Sequence, residues 1–234
     1  MDQNNLKWQA AAAAVAEIAD GMVLGLGTGS TAAFMIELLG ARIRAEGLRV
    51  RGIPTSRSTA DLARKFGVPL TDFAADPVVD LAIDGADQIT RAGLDLIKGF
   101  GGALLREKIV ADAARRFIIM GDASKLADHL SLKVPVEVVR FGWEATSRKI
   151  ADRGAEPTLR VQPGGEPFVS DEGNFILDCD FSALGAAIPD PARRDSELRA
   201  LVGVIETGFF LGRAARAYIA GSGGVARLDR TAAA

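Results

Sequence analysis

The run Met22-Val23-Leu24-Gly25-Leu26, followed at once by Gly27-Thr28-Gly29-Ser30-Thr31, constrains this chain more than any other segment. The apolar residues predict a short buried strand, and the glycines break it into a helix over 32–39. A strand that feeds a helix through a Gly-rich turn is the repeating unit of an α/β domain. The pattern continues. An Ala-rich helix over 6–18 precedes the run and stops at Asp20-Gly21. Strands are expected at 48–53, 68–70 and 81–83, and a helix at 58–66. After Ile97 comes a second Gly-rich stretch, Lys98-Gly99-Phe100-Gly101-Gly102, then a helix over 103–114 and the strand Phe117-Ile118-Ile119-Met120.

Beyond Lys125 the order changes. A strand at 134–139, a helix at 143–153, short strands at 158–161, 168–169 and 174–179, and a helix near 196–201 suggest a smaller α+β domain. Short strands at 205–211 and 217–220 would then return to the first domain. The expected fold class is α/β: a Rossmann-like parallel sheet built from 1–128 plus 203–234, with an α+β domain inserted at 129–202. The small polar tail 227–234 is expected to be frayed.

At 234 residues the chain can bury a large core without staples. A net charge of −2 gives no overall basic field for a nucleic acid backbone. Cys179 and His129 are the single cysteine and histidine, so no internal disulfide and no Cys/His zinc cluster can be assembled. No apolar stretch approaches the roughly 20 residues a bilayer crossing needs, and no export signal is read at the N-terminus. These features favour a cytoplasmic protein with neither nucleic acid nor membrane as partner.

Three groups of residues suggest chemistry. The turn Gly27 to Thr31 opens a helix, where backbone N–H groups and the helix dipole can receive a phosphate and the hydroxyls of Thr28, Ser30 and Thr31 add donors. Taken alone it equally suits a tight strand-to-helix turn. A dinucleotide fingerprint fails because Ser30 replaces its third glycine and the next strand ends in Pro54-Thr55-Ser56 without an acid; a Walker A loop fails for want of a lysine. Asp84-Gly85-Ala86-Asp87 sets two carboxylates at the carboxyl end of a strand, where open α/β sheets bind ligands, although such strings are commonly acidic turns or helix caps. Lys98 and Glu107 have ordinary readings too, as a surface lysine and a solvated helical glutamate. Their joint arrangement is what favours a site.

The segments GLGTGSTA at 25–32, IDGADQI at 83–89 and KGFGGALLREKIVA at 98–111 resemble, in order and spacing, the signature segments of type A ribose-5-phosphate isomerases. The similarity extends through Asp122 to Lys125, Leu132 to Val138, Glu172 to Asp178 and Glu206 to Leu211. It implies a metal-independent, cofactor-free aldose-ketose isomerisation of a sugar phosphate through a cis-enediolate. By matching position, Glu107 is the general base, and Asp84, Asp87 and Lys98 are catalytic groups near the sugar oxygens. Lys7, Thr28, Gly29, Ser30, Thr31, Gly85, Ala86, Gly99, Phe100, Gly101 and Lys125 are candidates around the substrate and its phosphate. Phe100 departs from the family's glycines, and would be strained if that position needed a positive φ. The resemblance also implies a homodimer or homotetramer. The alternative from another class is a non-catalytic sugar-phosphate sensor of the same fold; it would not need Glu107 or the Asp84/Lys98 pair, and no helix-turn-helix precedes Leu6.

Overall fold

The computed structural model describes residues 2–230. Its elements in chain order are α1 (Gln3–Val15), β1 (Val23–Leu26), α2 (Ser30–Glu46), β2 (Arg51–Pro54), α3 (Arg57–Phe66), β3 (Leu81–Gly85), β4 (Gln88–Thr90), β5 (Leu96–Ile97), α4 (Leu104–Ala113) and β6 (Phe117–Asp122). Then follow β7 (Leu126–Ala127), β8 (Val134–Val138), α5 (Trp143–Ala151), β9 (Glu156–Leu159), β10 (Phe175–Asp180), α6 (Pro191–Arg199), β11 (Val204–Thr207), β12 (Phe209–Phe210), β13 (Arg216–Gly221) and β14 (Gly224–Asp229).

The main sheet has the order β14-β13-β6-β3-β1-β2, all parallel except β14. Both faces are covered, which is why its central strands read as continuous apolar runs rather than as alternation. Successive side chains enter different cores. Leu24, Leu26, Leu81, Ile83, Ile118 and Met120 pack with α1, α2 and α3. Val23, Ala82, Phe117 and Ile119 face the other way, toward Val110 and Ala111 of α4 and toward Ile89, Leu96 and Phe210. Those last three belong to a small sheet, β12-β5-β4-β7. A third sheet, β11-β8-β10-β9, is antiparallel and builds its own core with α5 and α6. Ile97 and Phe209 of the small sheet pack into that core, so the small sheet is wedged between the other two.

Several expectations need correction. Helix α2 runs on through Gly40 to Glu46 instead of stopping at Leu39. A Cβ at Gly40 would lie 2.4 Å from the carbonyl oxygen of Phe66, so this glycine allows the end of α3 to approach α2 closely rather than ending the helix. The expected strands at 68–70 and 168–169 are not formed; near them only the isolated bridges Gly52–Leu70 and Val161–Pro167 occur. Residues 227–229 are not frayed but complete β14, paired with β13; positions 231–234 of that expected tail lie outside the described residues. Before the chain rejoins the main sheet at β13, β11 pairs with β8 in the third sheet. We therefore propose a division in which the smaller unit runs through β11. Among the described residues no helix is long and apolar enough to cross a membrane.

Candidate active site

In the main sheet β1 lies between β2 and β3, so the chain leaves β1 toward one side and returns on the other. Loops diverge at such a switch point and leave a crevice beyond the carboxyl ends of the two strands. Both expected turns open there: Gly27 to Ser30 after β1 and Gly85 to Asp87 after β3. The third, Lys98 to Gly102, follows β5 and is tied in by hydrogen bonds from Lys98 N–H to Gly208 O (2.9 Å) and from Asp87 N–H to Ile97 O (2.9 Å).

These turns surround a cavity of about 130 Å³. Its walls are Thr28, Gly29, Ser30 and Thr31 from the first turn, Gly85, Ala86 and Asp87 from the second, Lys98, Gly99 and Gly101 from the third, Glu107 from α4, Lys7 and Gln3 from α1, and Lys125 after β6. Larger open depressions exist, such as the groove between α1 and α2 beside Trp8, but none gathers as many charged groups. Gln3 escaped sequence reasoning. Its signal was its place one helical turn before Lys7, on the same face.

The polar centre is buried. The Lys98 ammonium lies 3.0 Å from Asp84 Oδ2 and 3.4 Å from Glu107 Oε1, and donates to Gly85 O at 2.6 Å. Asp84 Oδ1 accepts from the N–H groups of Thr28 (3.1 Å) and Gly85 (2.7 Å). A Cβ on Gly27 would come within 2.2 Å of that oxygen, so glycine is required where β1 passes Asp84. Asp84 does not line the cavity. It holds Lys98 and the first turn from beneath, while Asp87 lines the cavity and accepts from Phe100 N–H at 2.9 Å. Phe100 is half-exposed and has no positive φ, so the strain considered for it is absent.

Glu107 Oε2 is buried and has no hydrogen-bond partner. Burial, and then the like charges of Asp84 and Asp87, push the Glu107 carboxyl up to about 8, with Lys98 pulling the other way. Burial likewise pushes Asp84 upward against Lys98 and its two N–H donors. For Lys98, burial disfavours the cation, but Asp84 and Glu107 outweigh it and raise its pKa above that of a free lysine. A cation fixed beside a carboxyl group whose pKa sits near neutrality is an acid/base arrangement.

On the cavity wall α2 begins after its N-cap Gly29, which has φ of 109° and gives no side-chain cap. The first amides of a long helix thus have no side-chain cap, and the start of the helix shares the cavity wall with Lys7 and Lys125; Ser30 there is exposed and Thr31 half-buried. That geometry and charge suit an anion. Thr28 contributes less than expected as a free donor, because its hydroxyl is engaged by Thr55 (2.7 Å), Ser56 (2.9 Å) and Thr59 (3.1 Å).

The model of a family described as Ribose 5-phosphate isomerase A (phosphoriboisomerase A) matches residues 51–224. A ribose-5-phosphate isomerase A of Synechococcus sp. is 48% identical over 97% of this chain and 98% of its own. The structure of ribose 5-phosphate isomerase A from Methanocaldococcus jannaschii superposes with a TM-score of 0.91 at 37% identity, covering 98% of this chain and 100% of that one. A D-ribose-5-phosphate isomerase structure in complex with phospho-erythronic acid superposes at 0.92 with 36% identity and the same coverage.

Proposed function

The chain belongs to the ribose 5-phosphate isomerase A family, and we propose that it interconverts D-ribose 5-phosphate and D-ribulose 5-phosphate with Glu107 as the base that carries the proton between C2 and C1. The observation that carries the assignment of Glu107 is its buried, unpartnered Oε2 in the wall of the cavity. A carboxylate in that state is a stronger base than one in water.

In the forward direction Glu107 removes the C2 proton of the open-chain aldose, and the electron pair forms the C1–C2 double bond. Negative charge then collects on the C1 oxygen. Lys98 stabilises it as a fixed cation in a site with little water, where such a charge acts most strongly. Glu107 returns its proton to C1, the C2 carbonyl forms, and a second proton passes from O2 to O1 beside Lys98 and Asp87. The phospho-erythronic acid bound by one relative is consistent with this scheme, since its planar, anionic carboxylate resembles the planar, charged end of an enediolate. A sensor of sugar phosphates would need the helix N-terminus and its lysines but no buried carboxylate with an unpartnered oxygen.

The test is a coupled assay of the purified protein on ribose 5-phosphate, with and without a chelator. Ribulose 5-phosphate is expected in both, with deuterium from D2O entering at C1; chelator-sensitive turnover restored by a divalent ion would contradict a metal-independent reaction. The phosphate end supplies a second test. Two charge-assisted hydrogen bonds at about 1.5 kcal/mol each make free ribose about a hundredfold poorer in kcat/KM. Equal efficiency for ribose and ribose 5-phosphate would return the first turn to a purely structural role.

The same proposal includes a cytoplasmic enzyme that assembles as a homodimer or homotetramer. Support for assembly comes from exposed Val139, Phe141, Val202 and Ile205, which gather about the β8–β11 edge. The mass in solution measures it.

A further inference from the structure

The turn that carries Lys98 closes on itself through a hydrogen bond from Gly102 N–H to Gly99 O (2.9 Å). Gly99 and Gly102 have φ of 104° and 80°, and with Gly101 they leave a backbone of high conformational freedom. Two contacts from the main-sheet side restrain it, Lys98 to Gly85 O and Phe100 N–H to Asp87. Lys98 N–H also donates to Gly208 O (2.9 Å), and a further restraint comes from the third sheet. Arg160, directly after β9, donates from Nη1 to the carbonyl oxygens of Gly99 (2.8 Å) and Phe100 (3.2 Å). Its other edge is locked on β10: Nε donates to Asp178 Oδ2 at 3.0 Å and Nη2 to Asp178 Oδ1. Phe168 lies 5.9 Å from the guanidinium carbon, and its ring fills the place where a Cβ on Gly102 would come within 2.3 Å.

Arg160 does not line the cavity, so it cannot act on the sugar directly. A planar fork can bind a carboxylate along one edge and keep a donor free for two carbonyls; a lysine ammonium cannot. Building on the roles given above to Lys98 and Glu107, we propose that Arg160 is a positioning residue of the isomerisation: braced by Asp178, it fixes the carbonyls of Gly99 and Phe100 and so sets Lys98 against Glu107.

The experiment compares wild type, Arg160→Ala, Arg160→Lys and Asp178→Asn by steady-state kinetics, pH profile and thermal melting. Small displacements of a catalytic group are costly, so kcat of Arg160→Ala falls between about ten- and a hundredfold, with KM little changed. The acid limb of its pH profile moves upward, because a less closely held Lys98 does less to favour ionised Glu107. Asp178→Asn shifts both in the same direction by less, and Arg160→Lys recovers little. Millimolar guanidinium chloride restores part of the activity of Arg160→Ala and none is gained by wild type, since the depression beside Phe100, Leu132 and Lys133 gives access to the vacated place. A folded Arg160→Ala with wild-type kcat would overturn the proposal. So would a loss that follows the folded fraction alone, with an unmoved limb and no guanidinium rescue. Failure of the isomerase assignment looks different: wild type itself would be inert toward ribose 5-phosphate, and the clamp would fall with it.

Discussion

In Glu107→Gln, kcat falls by about 10²- to 10⁴-fold, the range over which a positioned general base contributes. The amide keeps the volume of the carboxyl group and can still accept from Lys98, so KM for ribose 5-phosphate stays close to wild type. What disappears is an acceptor for the C2 proton. Steady-state kinetics decide this, and a variant with near-wild-type turnover would remove Glu107 from its role.

The pH dependence gives an independent check. Glu107 works in its ionised form, and burial has raised its pKa to about 8, so kcat/KM climbs with pH and levels only above that value. An ordinary solvated glutamate would complete its rise several units lower. Lys98, held protonated by two carboxylates, contributes no falling limb in the neutral range. Stability shows the opposite sign. A carboxyl group whose folded pKa is raised stabilises the fold fully below the unfolded value of 4.5 and loses that contribution as pH rises through about 8. Gln cannot ionise, so Glu107→Gln should melt at the wild-type temperature in acid and increasingly above it as pH rises from 4.5 to about 8, with the gap constant at higher pH. A pH-independent difference in melting would mean that burial has not shifted Glu107.

The main sheet was legible because each of its central strands is an apolar run buried on both faces, and the glycines after β1 and β5 mark where the runs end. The small sheet was not, apart from β12, which lies within the short strands expected at 205–211. Its strands are two or three residues long, too short to show any period, and they form because loops of the main unit return to the same place. β14 was missed for the reverse reason: it is an edge strand, largely exposed, and its sequence Gly-Val-Ala-Arg-Leu-Asp carries no apolar stripe. In the site, residues that touch the cavity were found through the signature turns. Residues that act on those turns were harder to see. Thr55 and Ser56 reach Thr28 from the loop before α3 and Thr59 from α3 itself, some thirty residues away, and Arg160 reaches Gly99 across 61 positions. Nothing local in the sequence ties an arginine after one strand to a Gly-rich turn in another unit.

Lys98→Ala should lower kcat by about 10²- to 10³-fold, the usual effect of removing one preorganised donor from a developing oxyanion, while KM changes far less. The asymmetry follows from timing. The C1 oxygen is nearly neutral in the bound aldose and carries charge only in the enediolate, so a buried cation 3.4 Å from Glu107 is of most use after the proton has moved. The substitution also leaves Asp84 and Glu107 buried without their cation, so both carboxyl groups hold their protons to higher pH, and the acid limb of kcat/KM moves up along with the fall in kcat. Lys125 is the control. It lines the cavity together with the first turn of α2, the proposed seat of the substrate phosphate; a phosphate is charged throughout the reaction, so Lys125→Ala raises KM more than it lowers kcat. Kinetics of both variants across pH separate the two lysines. If Lys98→Ala changed KM alone, with kcat and the acid limb unmoved, Lys98 would be a binding residue, and stabilisation of the enediolate would have to come from the N–H groups of the Gly99 to Gly101 turn that Asp87 and Arg160 hold in place.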